Sequence, residues 1–159
     1  MRRLLEALDN ESTVVQLGDY VTDTQEFVGI VTQDFDGTVV SHEFPEIGKD
    51  IGAVPVLKKL VEAGHELILY TMRGEPTSPG DRNYLEEAVD WFAQRGIPLV
   101  GVNENLSQNR WTSSRKIFAH LYIDDTALGA PLKTDLSIST RPFIDWVEVE
   151  RLLIEKGII

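Results

Sequence analysis

The feature that most constrains this chain is an apolar strand that runs straight into a pair of acids. Phe27-Val28-Gly29-Ile30-Val31 has the β-branched and aromatic content of a strand covered on both faces. Asp34-Phe35-Asp36-Gly37-Thr38 follows at once. Side chains alternate across a strand, so Asp34 and Asp36 are expected on one side and Phe35 on the other. Two carboxylates so close repel one another unless a cation lies between them, and a hard, oxygen-seeking ion such as Mg²⁺ suits the pair. Gly37 allows the tight exit that the acids require. The same letters also fit a polar strand end entering an Asp-Gly turn, a common signal.

Downstream, helical and strand patterns alternate. Val54, Leu57, Leu60 and Val61 recur at helical spacing, with Gly64 closing the helix. Leu67 to Thr71 reads as a second buried strand that delivers a hydroxyl at its end. A loop from Met72 to Asp81 leads into a helix with Tyr84, Leu85, Ala88, Val89 and Phe92 on one face, and Trp91 belongs to its core pattern. Ile97 to Val102 is a third strand, and the polar run from Asn103 to Ser114 is loop-like, with Trp111 a candidate for lining a mouth. His120 to Asp125 is a fourth strand ending in Asp124 and Asp125; Leu136-Ser137-Ile138 is a candidate fifth. Val147, Leu152, Leu153 and Ile154 mark a closing helix. The alternation argues for an α/β fold, an open parallel sheet with helices on both faces. Such a sheet gathers strand ends, and hence Asp34, Asp36, Thr71, Asp124 and Asp125, at one edge where ligands bind.

Composition narrows the chemistry. With 159 residues the chain holds one domain with a core, and with no cysteine it has no disulfide, zinc-thiolate site or thiol nucleophile. His42, His65 and His120 are too scattered for metal-ligand spacing. A net charge of -11 disfavours a broad nucleic-acid surface, without excluding one small phosphorylated substrate. The start is too short and acidic for a signal peptide and no apolar run reaches membrane-span length, so a cytoplasmic protein with no membrane partner is expected. Residues 1–25 form an N-terminal appendage without identifiable chemistry, ahead of a domain over 26–159.

In order, Asp34-Phe35-Asp36-Gly37-Thr38, Thr71-Met72-Arg73, Ser114-Arg115-Lys116 and Tyr122-Ile123-Asp124-Asp125 resemble the four motifs of the haloacid dehalogenase (HAD) superfamily, in particular its small bacterial and phage hydrolases. The match covers roughly residues 27–155. The resemblance implies a Rossmann-like fold and a Mg²⁺-dependent phosphomonoester hydrolase. Asp34 would be the nucleophile that forms an aspartyl-phosphate, and Asp36 the general acid and then base. Thr71 would bind phosphoryl oxygens and Lys116 would neutralise charge, with Arg115 its competitor for that role. Asp34, Asp36 (through its carbonyl), Asp124 and Asp125 would surround Mg²⁺. Thr38, Arg73 and His42 are candidates for touching substrate; a surface ion pair is the alternative for Arg73 and simple solvation for His42.

Members of that superfamily often carry a cap domain. Here the loops at His42 to Lys49 and Asn103 to Ser114 are too short to hold one. The expectation is therefore a capless enzyme with an open site, covered by another copy in a homo-oligomer or by the N-terminal appendage as a substitute lid. Two other readings compete: a catalytically silent phosphate-binding or partner-binding module of the same fold, and a nucleotidase or nucleic-acid-end phosphatase. A phosphorelay receiver domain is excluded by motif order, since its acidic pair comes first and its phospho-acceptor later.

Overall fold

The structure is a computed structural model that describes residues 28–159. The expected appendage over residues 1–25 lies outside the described residues. Four strands form one parallel sheet: β1 (Ile30–Gln33), β2 (Glu66–Leu69), β3 (Gly101–Val102) and β4 (Leu121–Ile123), in the order β3-β2-β1-β4. Among the described residues three helices accompany it: α1 (Ala53–Glu62), α2 (Tyr84–Gln94) and α3 (Trp146–Glu155). The protein is an α/β fold of Rossmann-like type.

Each helix begins and ends where local chemistry permits. The Asn83 side chain accepts from the Glu86 N–H at the start of α2, and Asp145 does the same for the Val147 N–H at α3. Glu86 and Glu87 add favourable charge at the α2 N-terminus. The left-handed Gly64 (φ 89°) follows α1, its N–H bonded to the Val61 carbonyl.

The strands are shorter than the apolar runs that announce them. Pro98 has no N–H, and β3 is named only over Gly101–Val102; the bond from Val100 N to Leu67 O (2.8 Å) precedes it. Leu136-Ser137-Ile138 is not a strand. Asp135 accepts from both the N–H and the hydroxyl of Ser137, and its carbonyl accepts from Ile138 and Ser139, which closes a turn. The extra β-structure is instead an antiparallel ribbon of β5 (Leu132–Lys133) and β6 (Phe143–Ile144). The polar run after β3 contains a 3₁₀ helix over Leu106–Arg110.

Register decides which residues share a face. Thr32 pairs with Ile68 on one side and Tyr122 on the other, and Gln33 pairs with Leu69 and Ile123. The face bearing Val31, Leu67, Leu69 and Ile123 joins the main core, with Leu57 and Leu60 of α1, Phe92 of α2 and Leu153 of α3. Phe35 is fully buried there, edge-on to Trp91 at 5.8 Å, so Trp91 is core as expected. Burial of Phe35 fixes the chain between the two acids that flank it.

Candidate active site

All four parallel strands end at one edge, and neighbours diverge to either side of β1, with β2 on one flank and β4 on the other. In an open α/β sheet the crevice forms at that divergence. Asp34 follows β1 there, its N–H bonded to Ile123 O at 3.0 Å, and Asp124 and Asp125 follow β4. One carboxylate oxygen from each of Asp34, Asp124 and Asp125 lies within 4.8 Å of the other two.

Each acid in this cluster is oriented by its own donors. Asp125 accepts from Thr38 Oγ1 (3.2 Å) and from His42 Nε2 (3.0 Å), and its N–H donates to Thr38 Oγ1 at 3.0 Å. Asp124 accepts from the N–H (2.7 Å) and hydroxyl (2.6 Å) of Thr126. Asp34 is pushed up from 3.8 to about 6, first by burial and then by Asp124 and Asp125, against the opposing pull of the Phe35 N–H and the Thr71 hydroxyl. Charged oxygens gathered this closely match the donor set that Mg²⁺ takes, a few carboxylates completed by water. Asp34, Asp124 and Asp125 therefore fit the ion.

The Asp36 carboxylate is not part of the cluster. Arg73, itself 3 % exposed, donates from Nε to Asp36 Oδ2 and from Nη2 to Oδ1, both at 2.8 Å. The guanidinium also donates to the Glu46 carbonyl at 2.8 Å and lies against the rings of Phe35 (5.0 Å) and Phe44 (5.3 Å). The cation that relieves repulsion at Asp36 is thus a buried arginine. Arg73 is not a surface ion pair, and its fork is occupied by Asp36.

The turn after Asp36 can only be built on glycine. Gly37 has φ 85°, and a Cβ there would stand 2.1 Å from His42 Nε2 and 2.8 Å from Asp125 Oδ2. Ile144 N donates to Gly37 O (2.9 Å) and Trp146 Nε1 to Thr38 O (2.7 Å), so β6 and α3 brace this turn from outside.

Among solved structures, a conserved protein coded by a locus from Bacteroides thetaiotaomicron superposes with a TM-score of 0.63 at 31% sequence identity, over 82% of this chain and 93% of its own. The chain belongs to that protein's family. No family model and no curated protein matches it.

Within the family's Rossmann-like frame the residues singled out from sequence are distributed as follows. Asp34, Asp124 and Asp125 converge, with Thr71 beside Asp34. Thr38 is fully buried and, with His42, holds Asp125. Lys116 is exposed, its ammonium 5.8 Å from the centre of the Tyr122 ring, and no ion pair joins it to Asp34 among the described residues. Sequence reasoning missed Asn103, whose side chain accepts from the Thr71 N–H at 2.8 Å while its own φ is 54°. An asparagine directly after an apolar strand was the available signal, since asparagine tolerates the left-handed region. Trp146 was missed as well, and nothing in its spacing points to Thr38.

Proposed function

We propose that this chain is a HAD-type phosphatase, a Mg²⁺-dependent phosphomonoester hydrolase that works through an aspartyl-phosphate on Asp34. The observation that carries the reading is Asp34 itself, held next to Asp124 and Asp125 at the diverging strand ends with its carboxyl raised to about 6. Asp36 is paired with Arg73, whereas no arginine or lysine is paired with Asp34 among the described residues.

In this reading an Asp34 oxygen forms a bond to phosphorus while the ester P–O bond breaks, and the leaving oxygen takes a proton from Asp36. Water then attacks the phosphorus with Asp36 as base, freeing Asp34 and inorganic phosphate. Thr71 donates to phosphoryl oxygens, and Lys116, whose ammonium lies 5.8 Å from the centre of the Tyr122 ring, turns to meet the phosphate. Mg²⁺ held by Asp34, Asp124 and Asp125, with the Asp36 carbonyl, would supply charge neutralisation on the phosphoryl group.

The Arg73 fork favours a second reading, a phosphate-binding module without turnover. With both oxygens engaged, Asp36 has to release one before it can carry a proton. The deciding experiment is phosphate release from an aryl phosphate with Mg²⁺ or EDTA, in the native chain and in Asp34→Asn. Metal-dependent release abolished in the variant supports the phosphatase. Absence of release, together with no Mg²⁺-dependent capture of beryllofluoride, would sink it.

A further inference from the structure

A histidine in a short polar loop ordinarily stays in water, but His42 is turned inward onto an acid of the cluster. Its Nε2 meets Asp125 Oδ2 at 3.0 Å, with the His42 side chain 12% exposed and that of Asp125 9%. A carboxylate can only accept, so Nε2 carries the proton of that bond. The ring lies against the bare backbone of Gly37, where a Cβ would stand 2.1 Å from Nε2 and 2.3 Å from Cε1.

The loop that carries His42 is held at its base and at its tip. At the base Ser41 N donates to Lys49 O (3.0 Å) and Lys49 N to Ser41 Oγ (2.8 Å). Gly48 passes so near that a Cβ there would lie 1.9 Å from Ser41 O. The Lys49 ammonium donates to the Ile138 carbonyl at 2.8 Å. At the tip the Glu46 carbonyl accepts from Arg73 at 2.8 Å, and Arg73 is itself buried and fixed by Asp36. Closed below and pinned above, the segment from Ser41 to Lys49 gives the His42 ring little freedom to leave Asp125.

The donors to Asp125 also differ in origin from those of its neighbour. Asp124 is aimed locally, by Thr126 two residues on. Asp125 is aimed by Thr38 and His42, which lie 87 and 83 positions away in the chain. Thr38 Oγ1 takes Oδ1 and His42 takes Oδ2, so each oxygen is held and each keeps a lone pair for a further partner. Partners of this kind orient the groups that bind a metal, and their loss weakens metal binding although they never touch the ion.

We infer that His42 is a positioning residue: its Nε2–H holds Asp125 toward the divalent cation that this carboxylate would share with Asp34 and Asp124. The inference rests on the metal half of the proposed reading and adds to it a residue whose action runs through another side chain.

The test is calorimetric titration of the full chain with Mg²⁺, with thermal unfolding to establish that each variant is folded. His42→Phe keeps a ring without the donor, and His42→Gln keeps an N–H donor without the ring. His42→Phe is expected to lose about ten- to hundredfold in Mg²⁺ affinity, and His42→Gln to recover part of that loss. In an Asp125→Asn background His42→Phe should cost no further affinity, because the carboxylate it acts through is gone. Native affinity in folded His42→Phe, equal losses in the Phe and Gln variants, or the same loss with and without the Asp125 carboxylate overturns the inference. If His42→Phe does not fold, the native chain decides by NMR. The His42 Nε2–H signal should shift with the midpoint of the Mg²⁺ titration, and a signal that stays in place overturns the inference, as does a native chain that binds no Mg²⁺. Failure of the phosphatase reading registers separately, as absent aryl phosphate release by a native chain that does bind Mg²⁺.

Discussion

Replacing Asp34 by asparagine should make the metal-free protein more stable. A carboxyl raised from 3.8 to about 6 by burial and by Asp124 and Asp125 is harder to ionise in the folded chain than in the unfolded one. At about 1.4 kcal/mol per tenfold change in proton affinity, the ionised form costs about 3 kcal/mol. Asparagine removes the charge and keeps an oxygen for the Phe35 N–H, so about 1–3 kcal/mol should return as stability. For a domain of this size that is a rise in melting temperature of about 3–10 °C. The sign depends on pH. Below 3.8 the acid is protonated in both states and the two proteins should melt alike. Between 3.8 and 6 only the unfolded chain ionises, so the native protein loses ground as pH rises, and above 6 the whole difference is present. The assay is thermal unfolding in EDTA at pH 4 and pH 7.5, then at pH 7.5 with Mg²⁺, which should stabilise the native chain more than the variant. A variant that melts lower than the native protein in EDTA at pH 7.5 refutes the argument, because Asp34 would then be making a favourable interaction that the structure does not contain.

Two positions from Asp34 the expected sign reverses. Arg73→Met leaves the Asp36 carboxylate without its partner and strips the Glu46 carbonyl of a donor, so urea unfolding should give a loss of about 3–5 kcal/mol, with Arg73→Lys recovering only part. Gln33 is fully buried, and neither its Nε2 nor its Oε1 has a hydrogen-bond partner among the described residues. Gln33→Met, of similar length, should raise stability by about 1–3 kcal/mol, and a loss in the same unfolding assay would mean that the amide is in fact satisfied. The Nδ1 of His120 accepts from the Ile30 N–H at 2.9 Å, and burial, with His65 nearby, holds its pKa below the usual histidine value of 6.5. A base depressed in the folded state contributes stability above the unfolded value that is lost as pH falls through it, so His120→Gln should flatten the decline in stability between pH 7 and pH 5.5.

How much of this was legible in the sequence differs from residue to residue. The strand ends were readable because the acids, Thr71 and the apolar runs before them are local patterns, and alternation along a strand needs no tertiary knowledge. Gly64, Gly96 and the amphipathic helices were readable for the same reason. Strand lengths were not, since β3 is cut by Pro98 and by pairing that depends on its neighbour. The candidate strand at Leu136 failed because Asp135, a turn former, outweighed two aliphatic residues. Least legible was Arg73, whose number in the chain says nothing about its burial between Phe35 and Phe44 or about its grip on an acid 37 positions away. Partnership across that distance is set by packing, which one sequence does not display.

Asp34 and Asp36 differ in how the fold meets their charge. Both follow the same strand, and both would destabilise the fold if left charged and unpaired near its interior. For Asp36 the fold supplies a buried guanidinium. For Asp34 it supplies two more carboxylates and only hydrogen-bond donors. Thr38 and Thr126 point the same way, because their hydroxyls aim Asp125 and Asp124 without cancelling the charge that makes the cluster costly. With no arginine or lysine paired to them among the described residues, Asp34, Asp124 and Asp125 gather oxygens that match the donor set of a hard cation.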